Sequence, residues 1–317
     1  MKVAVIIPCY NVAEHVEAAV RSVLAQEHVD LEIVAVDDGS TDATRSILER
    51  MVGESNGRLR VVAQCQEGAS AARNTGLRAS TSEYVQFLDA DDVLFPQKIA
   101  TQVALIRTRG PATIVAGSYR NRRPDGSVED IESSIVDPWQ ALILGRMGTT
   151  SANLWQRAGL ESIGGWDESL KSSQDHELAF RLLRSGGNVI FDPSIHTEVL
   201  KRLEGSISRQ DPLGNWERYI VLRAAIRDHL RTKDASSFAS QMDAAEQLLF
   251  GAIRIIAHSD RSRAKELFEE YLSPDFRPKA AGGVSAAYSC LYGWVGFDKA
   301  EAAVSAMDTL RHMIGKG

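Results

Sequence analysis

Cysteine is scarce in this chain of 317 residues, and the few cysteines are scattered. Cys9, Cys65 and Cys290 lie far apart, without the short spacings that mark a zinc or iron–sulfur site. An odd and scattered set does not build a disulfide framework. The sequence therefore predicts a protein of a reducing compartment, the cytoplasm.

Long apolar runs and an excess of positive charge are also missing. No stretch approaches the roughly 18 apolar residues that suggest a membrane span, and the apolar start of the chain is too short for a signal peptide. The net charge is −6 and no block of Lys and Arg occurs, which argues against a nucleic-acid partner. Hydrophobic residues make up 44% of the chain, enough for a substantial core.

Apolar segments and amphipathic segments alternate over the first hundred residues. We expect Pro8 to end the first strand, Asn11 to cap the first helix, and Ser40 or Thr41 to cap the second. Strands are predicted at residues 3–7, 31–36, 60–63 and 84–88, and a helix rich in small residues at 68–79. This alternation indicates an α/β domain with a mixed, mostly parallel sheet flanked by helices.

Polar clusters follow three of these strands, at residues 9–11, 37–38 and 89–92. Ligands of such sheets bind beyond the carboxyl ends of the strands, so we expect one site there. In the third cluster, Asp89, Asp91 and Asp92 crowd together, and two such charges about 5 Å apart repel by roughly 3 kcal/mol. A divalent metal carrying a phosphate-rich ligand would relieve the repulsion. The alternative is an acidic turn that merely ends the strand.

The second half of the chain is predicted to become helical. Strands are expected at residues 114–118 and 189–191 and a helix at 175–185. Helices follow at 216–230, 237–257, 261–271, 283–292 and 299–314. We divide the chain into residues 1–210 and an α-helical region, 211–317. That region could bind an acceptor, form a homodimer or contact a membrane surface, although its stripe of Leu248, Leu249, Ile253 and Ile256 is typical of a core.

Six motifs occur in a fixed order along residues 1–210. They are Pro8-Cys9-Tyr10-Asn11, Val-Asp-Asp-Gly-Ser-Thr-Asp at 36–42, Ala-Arg-Asn-Thr-Gly at 72–76, Leu-Asp-Ala-Asp-Asp at 88–92, Ile-Gly-Gly-Trp-Asp-Glu at 163–168, and Ser-Gln-Asp-His-Glu-Leu at 173–178. Together they resemble the family 2 inverting glycosyltransferases. The resemblance implies the Rossmann-like GT-A fold, and it does not extend to the C-terminal hundred residues.

The resemblance also implies a reaction and a donor site. It indicates metal-dependent, inverting, hexosyltransferase-type transfer from a nucleotide sugar, a UDP-sugar, to a hydroxyl of a glycan, lipid-linked or other acceptor, as in polysaccharide biosynthesis. Tyr10 is expected to stack on the nucleobase and Asp38 to accept the imide N–H of uracil. Arg73 is placed near the ribose or diphosphate, where a guanidinium suits phosphate geometry. Pro8 belongs to the same donor site, and Arg202 is expected to clamp phosphate.

The metal and the base follow from two further motifs. By resemblance Asp91 binds Mn²⁺ or Mg²⁺, and Asp89 contacts the ribose or the metal. The metal is expected to stabilise the charge of the departing nucleotide. Asp92 shapes the turn or holds a metal-bound water. Asp175 is the candidate general base, placed to take the proton of the acceptor hydroxyl. The family's preceding glutamate is replaced by Gln174, so the role of that neighbour is open.

Several nearby residues carry weaker expectations. Trp166 offers a platform for a sugar ring, and Asp167 lies near the donor sugar or caps the following turn. Glu177 would replace the base only in a different helix register, and His196 is a further metal ligand or a structural residue. Residues 201–208 resemble the loop that closes over the diphosphate.

Three other functions fit the sequence less well. A processive polysaccharide synthase would carry Gln-x-x-Arg-Trp and membrane helices, and the sequence has neither. A sugar nucleotidyltransferase would open with a Gly-rich phosphate loop, where this chain has Pro-Cys-Tyr-Asn. A non-catalytic nucleotide-sugar-binding module would tolerate loss of the aspartates, and all of them are present.

Overall fold

The computed structural model describes residues 1–27, 30–133, 137–202, 211–281 and 283–314, with side chains of the last helix described as far as residue 307. The chain divides into two compact units, Met1–Ile207 and Ser208–Gly317. Each unit has its own hydrophobic core.

The first unit is built from strands and helices in alternation. Its described strands are β1 Lys2–Cys9, β2 Asp30–Asp37, β3 Leu59–Ala63, β4 Tyr84–Phe87, β5 Val93–Leu94, β6 Ile114–Arg122, β7 Val128–Ile131, β8 Leu154–Gln156 and β9 Val189–Leu200. Its helices are α1 Val16–Leu24, α2 Thr44–Glu54, α3 Ala69–Ala79, α4 Lys98–Arg109, α5 Pro138–Ile143, α6 Arg157–Ser162 and α7 Gln174–Arg184.

All the strands belong to one mixed sheet with the order β3-β2-β1-β4-β8-β6-β9-β5, and β7 pairs with β6. β1, β2, β3 and β4 run parallel, as do β6 and β9. β8 is antiparallel to both β4 and β6 and joins the two parallel groups. The predicted α/β architecture, with a mixed and mostly parallel sheet flanked by helices, is confirmed.

The predicted end of the first strand and the predicted caps of the first two helices are wrong. Pro8 lies inside β1, opposite Val36. It is tolerated because β4 pairs with β1 only as far as Ile6, so Pro8 lies where β1 has lost one neighbour. Asn11 adopts a left-handed conformation and caps no helix, since α1 begins at Val16. α2 likewise begins at Thr44, beyond both predicted caps.

The second unit is helical in its described residues: α8 Pro212–Asp234, α9 Ala239–Ala257, α10 Arg261–Tyr271 and α11 Ala286–Ile314. Gly296 kinks α11, where the sequence predicted two separate helices. Leu249, Ile253 and Ile256 lie in the core of this unit, as their spacing predicted. Among the described residues, no helix combines the length and apolar character needed to cross a membrane.

Candidate active site

The loops after β1 and β2 are tied together at the carboxyl edge of the sheet. The amide of Asp38 donates to the carbonyl of Cys9 over 2.8 Å. The side-chain oxygen of Asn11 accepts from the amide of Thr41 over 2.8 Å. Between these contacts the ring of Tyr10 is 41% exposed. A flat ring is therefore presented to solvent at this edge, where it could stack on a planar ligand.

Asp38 lies beneath this edge and fixes the start of α3. Its carboxylate is 3% exposed and accepts from Gln64 Nε2 at 2.7 Å, from the Glu67 amide at 2.9 Å and from the Gly68 amide at 2.8 Å. A carboxylate offers about four acceptor positions, so about one remains for a ligand N–H. The predicted contact of Asp38 with uracil stays a prediction.

The small residues of α3 allow unusually close packing on two sides. A Cβ on Gly76 would lie 2.3 Å from a side-chain carbon of Ile6, so only glycine lets α3 approach β1 this closely. On another side of α3, the Asn74 Oδ1 accepts a hydrogen bond from the backbone amide of Trp166, and the Asn74 Nδ2 donates to the Trp166 carbonyl. Both distances are 2.9 Å. Gly165 has a φ of +76°, and a Cβ there would lie 2.5 Å from the Asn74 oxygen.

Arg73 is the central cation of the site. It is 5% exposed, its Nη2 donates to Asp89 Oδ1 at 2.7 Å and its Nη1 to Gln174 Oε1 at 3.1 Å. Its guanidinium lies 4.5 Å from the ring centre of Trp166. That ring is 2% exposed and packs edge-on against Phe87, so the expectation that Trp166 carries a sugar ring is wrong. The indole instead supports Arg73 from within the core.

Asp89 and Asp91 follow β4 and each faces an arginine. Asp91 Oδ2 lies 2.8 Å from Arg202 Nε, while Asp89 is bound by Arg73. Burial and the charge of Asp89 raise the pKa of Asp91, and Arg202 offsets only part of this. Two crowded, oxygen-rich carboxylates fit a hard divalent cation that takes its remaining ligands from water and phosphate. Among the described residues no three His, Cys, Asp or Glu side chains are grouped closely enough to hold a metal by themselves.

Asp92 has a structural role. It is buried, its Oδ2 accepts from the Ser151 hydroxyl at 2.6 Å, and its Oδ1 accepts from the Leu200 amide at 3.0 Å. Burial, followed by the charges of Asp89 and Asp91, raises its pKa well above the ordinary value. Of the two roles expected from the sequence, the described contacts favour shaping the turn, because both oxygens bind protein groups.

Asp175 lies at the start of α7, with 26% of its side chain exposed. Its Oδ1 accepts from the amide of His176 at 2.9 Å and lies 3.2 Å from the His176 Nδ1. Burial alone would raise the pKa of Asp175, but the charge and hydrogen bonds of His176, aided by Arg73, lower it to about 2. The carboxylate is therefore ionised at neutral pH, the form that a general base requires.

Tyr119 of β6 also faces this carboxylate. Burial, and then the charge of Asp175, raise the pKa of Tyr119 to about 12. No sequence signal pointed to Tyr119, because the predicted strand stopped at residue 118, and it is the pairing of β6 with β7 and with β9 that extends the strand beyond that residue. Its phenol is neutral at physiological pH and could share a hydrogen bond with an acceptor hydroxyl.

Other expected residues have local roles. Asp167 accepts from the amide and hydroxyl of Ser169, at 2.9 and 2.6 Å, and so caps the turn. Glu177 forms a two-pronged ion pair with Arg181, at 2.5 and 2.7 Å, so it is not a substitute base.

The remaining predicted residues lie near the sheet edge or at the limit of the described chain. Pro8 is half-buried at the end of β1. The carbonyl of His196 accepts from the Phe95 amide over 2.8 Å, and its ring Nδ1 is buried without a hydrogen-bond partner among the described residues. Of the loop expected at 201–208, only Lys201 and Arg202 fall within the described residues. The structure thus brings together Arg73, Asp89, Asp91, Asp175 and Arg202.

Comparison with known proteins gives two kinds of match. Residues 4–151 match the family described as Glycosyl transferase family 2. An uncharacterized glycosyltransferase of Nostoc sp. is 44% identical over 108 residues, which are 34% of this chain and 34% of that relative. The match thus spans about a third of the length of that relative.

Solved structures share the fold. Residues 1–349 of Staphylococcus aureus TarS, in complex with UDP-GlcNAc, superpose with a TM-score of 0.61 at 18% identity, over 89% of this chain and 95% of that TarS fragment. A mannosyltransferase of Pyrobaculum calidifontis, in complex with GDP-Man and Mn²⁺, gives 0.51 at 20% identity, over 96% and 87% of the two chains. These identities are low, so the likeness establishes the GT-A fold alone.

Proposed function

We propose that this chain, whose residues 4–151 match Glycosyl transferase family 2, transfers a sugar, with inversion, from a UDP-sugar to a hydroxyl of a glycan or lipid-linked acceptor. One observation supports this most strongly. The acidic segment after β4 and the carboxylate at the start of α7 both lie near Arg73, since Arg73 binds Asp89 and its charge contributes to the lowered pKa of Asp175. The carboxylates proposed to hold the donor's metal, Asp89 and Asp91, are therefore close to the proposed base, Asp175.

The donor is held at the sheet edge in this proposal. Tyr10 stacks on the base, and Asp38, in the loop beside it, receives the base N–H. Asp89 and Asp91 are the residues that would hold Mn²⁺ or Mg²⁺, which when bound supplies positive charge to the diphosphate. Arg202 exchanges its contact with Asp91 for the phosphate oxygens. The solved relatives that bind UDP-GlcNAc or GDP-Man with Mn²⁺ support this assignment.

The transfer step needs one proton acceptor. Asp175 takes the acceptor hydroxyl's proton while the acceptor oxygen bonds to the anomeric carbon, and the bond from that carbon to the diphosphate breaks. Because the pKa of Asp175 is about 2, it is a weak base toward a free alcohol. Proton transfer therefore occurs late, after the attacking oxygen has become acidic. Positioning of acceptor, base and donor contributes the larger share of the rate.

Hydrolysis of nucleotide sugars in the absence of acceptor tests the proposal. A panel of UDP- and GDP-sugars is incubated with the protein and with Asp91→Ala, with and without Mn²⁺, and the released nucleotide is measured. We expect Mn²⁺-dependent release from at least one donor, reduced at least about 100-fold in Asp91→Ala. Asp125→Ala, which removes an exposed turn aspartate, is the control. Metal-independent nucleotide binding with no turnover would instead indicate a binding module.

A further inference from the structure

Gln174 stands directly before the candidate base, and its amide makes two contacts of opposite sense. Its Nε2 donates to the carbonyl of Leu170 at 2.7 Å, and its Oε1 accepts from Arg73 at 3.1 Å. An amide can do both, whereas a carboxylate can only accept. A glutamate here would place a negative charge against the Leu170 carbonyl. The two contacts thus specify glutamine at this position.

Arg73 is itself held at a fixed place. Its guanidinium lies against the buried ring of Trp166 and its other nitrogen binds Asp89. Arg73 donates one hydrogen bond to Asp89 and another to Gln174, and it thereby joins the segment after β4 to the first turn of α7.

The N-cap of α7 adds no side-chain hydrogen bond to the start of this helix. This residue, Ser173, has a φ of +58°. A non-glycine residue in the left-handed region is strained, and an uncapped helix start is prone to fray. The contacts of Gln174 supply the restraint that the cap does not.

We propose that Gln174 is a positioning residue: acting through Arg73, it holds the first turn of α7, and Asp175 with it, in place relative to Asp89. The part of the proposal that concerns the reaction rests on the proposed function. Because both polar groups of the Gln174 amide bind protein and Arg73 keeps its contact with Asp89, loss of Gln174 lowers kcat more than it changes the KM for the donor.

A double-mutant cycle with two readouts tests this inference. Gln174→Ala, Arg73→Met and the double variant are compared by hydrogen exchange of residues 173–178 and by kcat and KM for donor hydrolysis. We expect Gln174→Ala to speed exchange and to lower kcat, each about tenfold, with KM within about twofold. In the Arg73→Met background the same change has less than about a twofold effect, because the partner is already gone.

Two further variants separate positioning from general destabilisation. Gln174→Glu keeps an acceptor for Arg73 but cannot donate to Leu170, so it speeds exchange as well. Arg78→Ala, on the exposed face of α3, leaves both readouts unchanged. Equal effects of Gln174→Ala in both backgrounds, unchanged exchange, or a rise confined to KM would overturn the inference. Hydrogen exchange can be measured without turnover. If the wild-type protein has no activity, the proposed function is contradicted, and the exchange rates still show whether Gln174 restrains the start of α7.

Discussion

Single residues set the electrostatics of this site. Each carboxylate assigned to the metal faces an arginine, Arg73 at Asp89 and Arg202 at Asp91. These arginines offset part of the charge that would otherwise repel across the acidic segment. Asp175 is stabilised differently, by His176 beside it, so it stays ionised without a metal. The main partner of Asp175 therefore differs from those of Asp89 and Asp91, although Arg73 acts on both Asp89 and Asp175.

The lowered pKa of Asp175 predicts a pH dependence of stability. An ordinary aspartate titrates near 3.8 and Asp175 at about 2, so its ionised form stabilises the fold above about pH 4. That stabilisation, about 2 kcal/mol, is lost as the pH falls from 4 through 2. Urea unfolding of the wild type and of Asp175→Asn between pH 2 and pH 6 measures it. The difference between their unfolding free energies should shrink toward low pH, and parallel curves would contradict the assignment.

Several residues of the site act only through tertiary contacts, and these could not be predicted from the sequence. Asn74 holds Trp166, Ser151 holds Asp92, and Tyr119 faces Asp175. None of the three has a local spacing that signals its partner. The importance of the acidic segment was predictable, because several carboxylates directly after an apolar strand carry an electrostatic cost that needs a compensating partner.

Among the elements, α3 sets the geometry of the donor side. Its start is fixed by Asp38, its middle presents Arg73, and Gly76 lets it lie close against β1. A helix with a bulkier residue at that position would stand farther from the sheet. Arg73 would then move away from Asp89.

Gly76→Ala should accordingly destabilise the protein. The new methyl carbon would lie 2.3 Å from Ile6, so the packing must shift at a cost of about 1–3 kcal/mol, measured by urea unfolding. Combining it with Ile6→Ala relieves the overlap, and the double variant should lose less than the sum of the single losses. Gly53→Ala, where the added methyl meets nothing within 4 Å, is the control. An effect of Gly76→Ala equal to that of the control would contradict this account of the packing.

The elements differ in how well their sequences predict them. β1 to β4 were predictable because apolar residues, many of them β-branched or aromatic, dominate their runs, and Gly and polar residues separate them. α4 was not predicted, because its buried face carries Lys98 and Gln102, which interrupt the apolar period. These polar residues are satisfied by distant partners, Gln86 and the Ala152 carbonyl. α5 and α6 are too short to show a helical period.

On the scale of the whole molecule, two units have separate cores. The first carries the family match and the proposed site. The second is centred on Phe250, with Phe268 and Phe297 stacked 4.6 Å apart nearby. Its proposed roles are acceptor binding, dimer formation or contact with a membrane surface. The residues proposed for the donor site all lie in the first unit, and the acceptor is to be identified by experiment.

The stereochemistry of the released sugar tests the central claim most directly. In the presence of Mn²⁺ and a UDP-α-sugar that the protein hydrolyses, proton NMR follows which anomer is released before mutarotation. Attack by water from the face opposite the diphosphate, with Asp175 as base, predicts that the β anomer is released first. It also predicts that Asp175→Asn slows release by about 100-fold or more. Release of the α anomer first, or undiminished release by Asp175→Asn, would contradict the account.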